Sequence, residues 1–105
     1  MPEFAVYKNT NSATKAAVPF LLDVQSDLIA ELGTRVVVPL YTAPAMKGKT
    51  LTTLTPTFEI EGRQYMMVTP QLAGIAKKQL GTQVAELSAQ RDEIIAALDL
   101  LIAGI

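Results

Sequence analysis

The chain has 105 residues, half of them apolar, and a formal net charge of −1. That is enough apolar material for the core of one domain spanning residues 1–105, and the composition is not that of a disordered chain; the charge balance provides no large basic field for sequence-independent nucleic-acid binding. Neither cysteine nor histidine occurs, which excludes disulfides and thiolate chemistry and removes the commonest metal ligand and general base.

In chain order, residues 4–8 carry aromatic and β-branched side chains, with Phe4, Val6 and Lys8 on one face and Ala5 and Tyr7 on the other, and read as a strand. Residues 9–17 are small and polar without periodicity, so a mobile loop is expected. Residues 18–24 are apolar, with Pro19 near the start and Asp23 near the end, and form a second expected strand. Residues 25–33 connect onward, with Ser26 or Asp27 suited to cap a short helical turn and Gly33 suited to close it.

The strongest strand signal is 34–41, which holds three consecutive valines; Pro39 argues for a bulge or an edge near its end. Residues 42–55 contain Pro44, Gly48 and alternating threonine and leucine, and an irregular excursion is expected there. Phe58 and Ile60 alternate with polar neighbours ahead of Glu61-Gly62-Arg63, and an apolar run follows, which predicts a β-hairpin. Residues 72–80 are ambiguous and compatible with a final strand.

Gly81-Thr82 then opens the expected C-terminal helix, with Thr82 as N-cap and Glu86 near its positive end. Val84, Leu87, Arg91, Ile94, Ile95, Leu98, Leu101 and Ile102 keep helical spacing. Asp92 and Glu93 fall mid-helix in this reading, and Asp99 lies near the negative end, where a carboxylate is mildly unfavourable. The last stretch, 94–105, is apolar on nearly every side and carries no polar tail, which is unusual for a chain end. Many strands followed by one helix predict an α+β or small-barrel arrangement. For so small a domain this apolar content favours a dimer or another partner. No signal peptide is evident, and the C-terminal apolar run falls short of the ~20 residues of a membrane span, so a soluble, cytoplasmic protein is expected.

No glycine-rich phosphate loop or nucleophile elbow is present. Asp92 and Glu93 are adjacent, and adjacent helical residues diverge by roughly 100°, so they do not share a site. Arg35 and Arg63, with nearby threonines, are the residues a ribonuclease would use, but nothing in the sequence fixes them together. Residue chemistry alone therefore points to a non-enzymatic binding domain with no metal and no cofactor.

Phe4-Ala-Val-Tyr7, the string Leu22-Asp-Val-Gln-Ser-Asp-Leu-Ile29, the valine strand, Met66-Met-Val-Thr69 and the whole C-terminus through Gly104-Ile105 together resemble the CcdB family. These are toxins of plasmid and chromosomal toxin–antitoxin modules. The resemblance implies an SH3-like antiparallel sheet with a small extra sheet and a long C-terminal helix, assembled as a homodimer. It implies a non-enzymatic toxin that binds the DNA gyrase A subunit, traps gyrase on cleaved DNA, and is neutralised by a CcdA-type antitoxin; the 9–17 loop is a candidate antitoxin contact. By position it implies gyrase contacts at Leu28, Ile29, Asp99, Ile102, Ala103, Gly104 and Ile105.

Two departures stand out. Ala103 occupies a position where the best-known members carry Trp, and Asp99 one where the prototype has a neutral amide. Aromatic residues are frequent interface hot spots, and a charge at a contact tunes partner choice. A non-toxic homologue that still binds antitoxin is therefore the alternative, with a MazF-like ribonuclease behind it. On this reading Ile94, Ile95, Leu98 and Leu101 pack the helix onto the sheet, and the residues after them face a partner.

Overall fold

The computed structural model describes residues 4–25, 33–46 and 53–104. Among the described residues, seven antiparallel strands, β1 (Ala5–Asn9), β2 (Phe20–Asp23), β3 (Thr34–Thr42), β4 (Thr57–Ile60), β5 (Arg63–Met67), β6 (Ala73–Ala76) and β7 (Leu80–Glu86), precede one α-helix, α1 (Arg91–Ala103). The strands order as β4-β5-β3-β2-β1-β7, with β6 also paired to β3. The sheet curls into a half-barrel, and the β4–β5 hairpin with the end of β3 forms its smaller extension.

Period-two alternation decides which residues face the core. Val6, Leu22 and Val38 stand opposite one another across β1, β2 and β3, and Phe20, Leu40 and Met67 form the next row. All six are buried, joined by Phe58, Ile60 and Tyr65 from the hairpin and by Ile94 and Ala97 from α1. Phe20 and Tyr65 meet edge to face, with ring centroids 5.0 Å apart, the geometry the ring quadrupoles favour.

The hairpin is as expected, with a tighter loop: Glu61 and Gly62 alone connect the strands, both at positive φ (53° and 83°). Two successive left-handed residues make the turn whose twist matches the flanking strands. Pro39 sits where β3 changes partner, between the Val37↔Ala73 and Leu40↔Met67 pairings, and its carbonyl accepts from Val68 N at 3.1 Å. The missing N–H therefore falls at a handover between strands and costs no ladder bond. The loop after β1 is tied down by its own side chains. Asn9 donates to Thr14 Oγ1 and to the Val18 carbonyl, Asn11 Oδ1 accepts from Ala13 N, and Thr10 Oγ1 donates to the Gln79 carbonyl.

The largest difference from the sequence reading concerns 80–90. These residues do not begin the helix. Leu80–Glu86 is β7, paired with β1 through Ala5↔Glu86 and Tyr7↔Gln83, so Thr82 is no N-cap and Glu86 lies on a strand. β1 requires a second neighbour for its backbone groups, and that pairing overrides a helical spacing carried by few residues. Gly81 has a steric reason in this register: a Cβ there would lie 2.9 Å from Lys8 Cβ and 2.9 Å from the Lys8 carbonyl oxygen. Leu87 N then donates to the Phe4 carbonyl, a 3₁₀ turn covers Ser88–Gln90, and α1 starts at Arg91. Asp92 and Glu93 consequently occupy its first turn, where carboxylates complement the helix dipole. The capped turn expected within 25–33 lies in 26–32, outside the described residues, as do 47–52 of the irregular excursion expected over 42–55.

Candidate partner-binding surface

Helix α1 is anchored by its first half. Ile94 and Ala97 are fully buried, and Ile95 and Leu98 are half-buried against the same core. The helix also packs on the 3₁₀ turn Thr69–Gln71, whose Thr69 is fully buried. Cover then runs out. Leu101, expected in the core, is 37% exposed, and Ile102 is 80% exposed. Ala97, one turn earlier on the same face, is fully buried.

Asp99, Ile102 and Ala103 are all exposed, and their i, i+3, i+4 spacing puts them on one flank of α1. That flank is turned away from the stripe of Ile94, Ala97 and Leu98. Gly104 caps the helix in the left-handed region at φ 73°, its N–H donating to the Leu100 carbonyl at 3.0 Å. A Cβ on Gly104 would meet nothing within 4 Å, so the glycine answers a conformational demand and not a lack of space. Four of the seven predicted contact residues thus share one exposed helix end. Leu28, Ile29 and Ile105 lie outside the described residues.

The string that precedes Leu28 carries a structural device that the sequence reading missed. Asp23 stands opposite Val37, so Arg35, two residues before, is its diagonal neighbour on the same face. Arg35 Nε donates to Asp23 Oδ2 at 2.8 Å, and Nη2 lies 2.8 Å from the same oxygen. Asp23 Oδ1 accepts from Gln25 N, Gln25 Oε1 accepts from Val36 N, and Arg35 Nη2 reaches the Gln25 carbonyl at 3.4 Å. Asp23 and Arg35 are each 1% exposed and Gln25 is 8% exposed. The available signal was one charge in each of two apolar strands, at positions that share a face.

Arg35 is therefore committed to Asp23, and Arg63 opens β5 on the exposed hairpin. Arg35 belongs to the end of β3 that pairs with β6, and Arg63 lies beyond the opposite end, where Thr42 faces Tyr65. The structure does not bring the two arginines together. On the same second face of the sheet lies an open groove of about 490 Å³, lined by Leu21, Val37, Pro39, Tyr41, Gln71 and Ile75 among others, none of them charged. Among the described residues, no group of three or more His, Cys, Asp or Glu is placed to hold a metal ion, and no helix is long and apolar enough to cross a membrane.

The described residues form a curled antiparallel sheet followed by one C-terminal α-helix whose apolar end is exposed. The CcdB protein family matches residues 3–104, and the chain belongs to that family. Membership supports a toxin of a toxin–antitoxin system. Among solved structures, the chain is similar to an endoribonuclease in complex with its cognate antitoxin from a mycobacterial species. The TM-score is 0.75 at 16% identity, with 98% of this chain and 95% of that chain covered, a likeness of fold.

Proposed function

We propose that the protein is the toxin of a type II toxin–antitoxin module, acting as a cytoplasmic homodimer. It binds the DNA gyrase A subunit, traps the gyrase–DNA cleavage complex, and is neutralised by a CcdA-type antitoxin. The observation that carries this reading is the near end-to-end CcdB match together with the exposed apolar end of α1. Gyrase contacts are assigned to Leu28, Ile29, Asp99, Ile102, Ala103, Gly104 and Ile105. A dimer presents two copies of this surface, which suits a two-fold-symmetric target and adds the gain of linked contacts. The endoribonuclease neighbour supports the antitoxin as a partner, since it was solved with its own.

That neighbour also motivates a second reading, RNA cleavage. Its chemistry has little support here. The chain has no histidine, Arg35 is buried in an ion pair, and no charged residue lines the groove. We therefore favour a non-enzymatic toxin. Two assays separate the readings: purified protein traps gyrase–DNA cleavage complexes and leaves RNA intact, whereas RNA cleavage without trapping overturns the proposal. Ala103 supports a non-toxic, antitoxin-binding variant of the same reading; that account gains if the native protein binds antitoxin without trapping gyrase and Ala103→Trp restores trapping.

A further inference from the structure

The open groove on the second face of the sheet shares no residue with the assigned gyrase contacts. Its floor is apolar. Leu21 stands opposite Pro39 and Val37 opposite Ala73, with Ile75 next on the same face. Its rim is made of neutral amides and hydroxyls that the fold already holds. Thr10 Oγ1 donates to the Gln79 carbonyl at 2.8 Å, and the Tyr41 hydroxyl donates to Gln71 Oε1. The first bond ties the 9–17 loop to the turn before β7, and the second ties β3 to the 3₁₀ turn Thr69–Gln71. Among the described residues β6 pairs with β3 alone, which leaves its other edge open to a further strand.

Charge is sorted around this groove. Residues 4–22 and 63–85 contain no aspartate or glutamate. Lys8 and Lys15 adjoin the lining residues Asn9 and Thr14, and Lys77 and Lys78 lie in the turn that ends at Gln79. All four lysines are exposed. The exposed carboxylates of the described residues, Glu59, Glu61, Glu86, Asp92, Glu93 and Asp99, belong instead to the β4–β5 hairpin, the end of β7 and α1, none of which lines the groove. A chain of net charge −1 thus keeps a positive margin around an uncharged cleft.

We propose that this groove docks an extended acidic peptide segment. Alternate apolar side chains of the segment fill the floor, and its carboxylates meet Lys8, Lys15, Lys77 and Lys78 at the margin. On the toxin–antitoxin reading the antitoxin carries the segment, and the proposal rests on that reading for the bearer alone. A single-stranded nucleic acid is the other polyanion, and the lining suits it less. Tyr41 is the one aromatic side chain among the lining residues, and no lining residue carries a charge to meet a phosphate.

The test is a nuclear magnetic resonance titration of the full-length, isotope-labelled protein. Three probes are compared: a short synthetic peptide alternating valine and glutamate, the same peptide with lysine for glutamate, and a short single-stranded RNA. The acidic peptide shifts the amides of Ala73, Ile75, Gln79 and the 9–14 loop and leaves α1 unmoved, and the other two probes shift none of them. Lys77→Glu/Lys78→Glu changes only exposed side chains, so its melting temperature stays within a few degrees of the parent, and it binds the acidic peptide about tenfold more weakly. Added salt weakens binding to the parent and has less effect on this variant. Ile75→Thr, which keeps a β-branched strand residue but places a hydroxyl in the floor, weakens binding about tenfold or more. Should that variant fail to fold, the lysine pair decides. No shifts with the acidic peptide, an equal response to the lysine peptide, shifts confined to α1, the same amides moved by RNA, or undiminished binding by folded Lys77→Glu/Lys78→Glu overturns the proposal. Neither gyrase nor antitoxin enters the titration, so a failure of the gyrase reading leaves this result standing.

Discussion

The buried turn of α1 and its last turn are both built from isoleucine, leucine and alanine and do opposite things. In the first half Ile94 and Ala97 are fully buried against the strands, with Ile95 and Leu98 packed beside them. In the last turn Leu101 and Ile102 are no less apolar, yet Ile102 is 80% exposed and ends beside a glycine cap. Apolar side chains continue from Ile94 to the end of the helix, and what changes is whether the rest of the fold covers them. The first half should therefore govern stability and the last turn partner binding, and each substitution below separates those two quantities.

Ile94→Ala should have the largest effect on stability, about 2–5 kcal/mol, because a fully buried side chain leaves a cavity. Chemical denaturation measures it, and a change below about 1 kcal/mol would mean that α1 is not anchored at this turn. Ala97→Leu forces extra volume between helix and sheet at a site with no exposure. It should cost about 1–3 kcal/mol, seen as a lowered urea midpoint, whereas a neutral result would mean that the site has room for the larger side chain. Gly104→Ala keeps the space but places an alanine at φ 73°, at a cost of about 1 kcal/mol. Calorimetry should register it as a small drop in melting temperature. Ile102→Ala should change stability by no more than about 0.5 kcal/mol and yet weaken binding to a gyrase A fragment by titration calorimetry. The ranking for binding is thus the reverse of the ranking for stability, and a large stability loss at Ile102 would merge the two halves into one core.

How much of this was legible in the sequence depends on whether the deciding interaction is local. The β4–β5 hairpin was readable because Phe58 and Ile60 alternate up to a Glu61-Gly62 turn, and both facts lie within a few residues. β3 was readable from its valines. Residues 81–86 carry helical spacing in the sequence, but their strand identity comes from β1, which is distant in sequence and must pair with something. Exposure along α1 was readable only in outline. Spacing placed Ile94 inward, but Ala97 and Leu101 share that face and only Ala97 is covered, which depends on where the cover ends and not on local pattern. The Asp23–Arg35 pair required the β2–β3 register, which shows that a diagonal pair shares one face. Of the assigned contacts, the structure brings Asp99, Ile102, Ala103 and Gly104 onto one helix end, a grouping already implied by their adjacency in sequence.

The central claim is that the end of α1 is a functional surface and not part of the fold. The most direct measurement is a gyrase–DNA cleavage-trapping assay on the parent and on a variant lacking residues 103–105, with melting temperatures recorded in parallel. The account predicts trapped complexes with the parent, none with the truncated protein, and melting temperatures that differ by only a few degrees, the share expected from losing the Gly104 cap. A truncated protein that still traps gyrase, or one that unfolds, would contradict it.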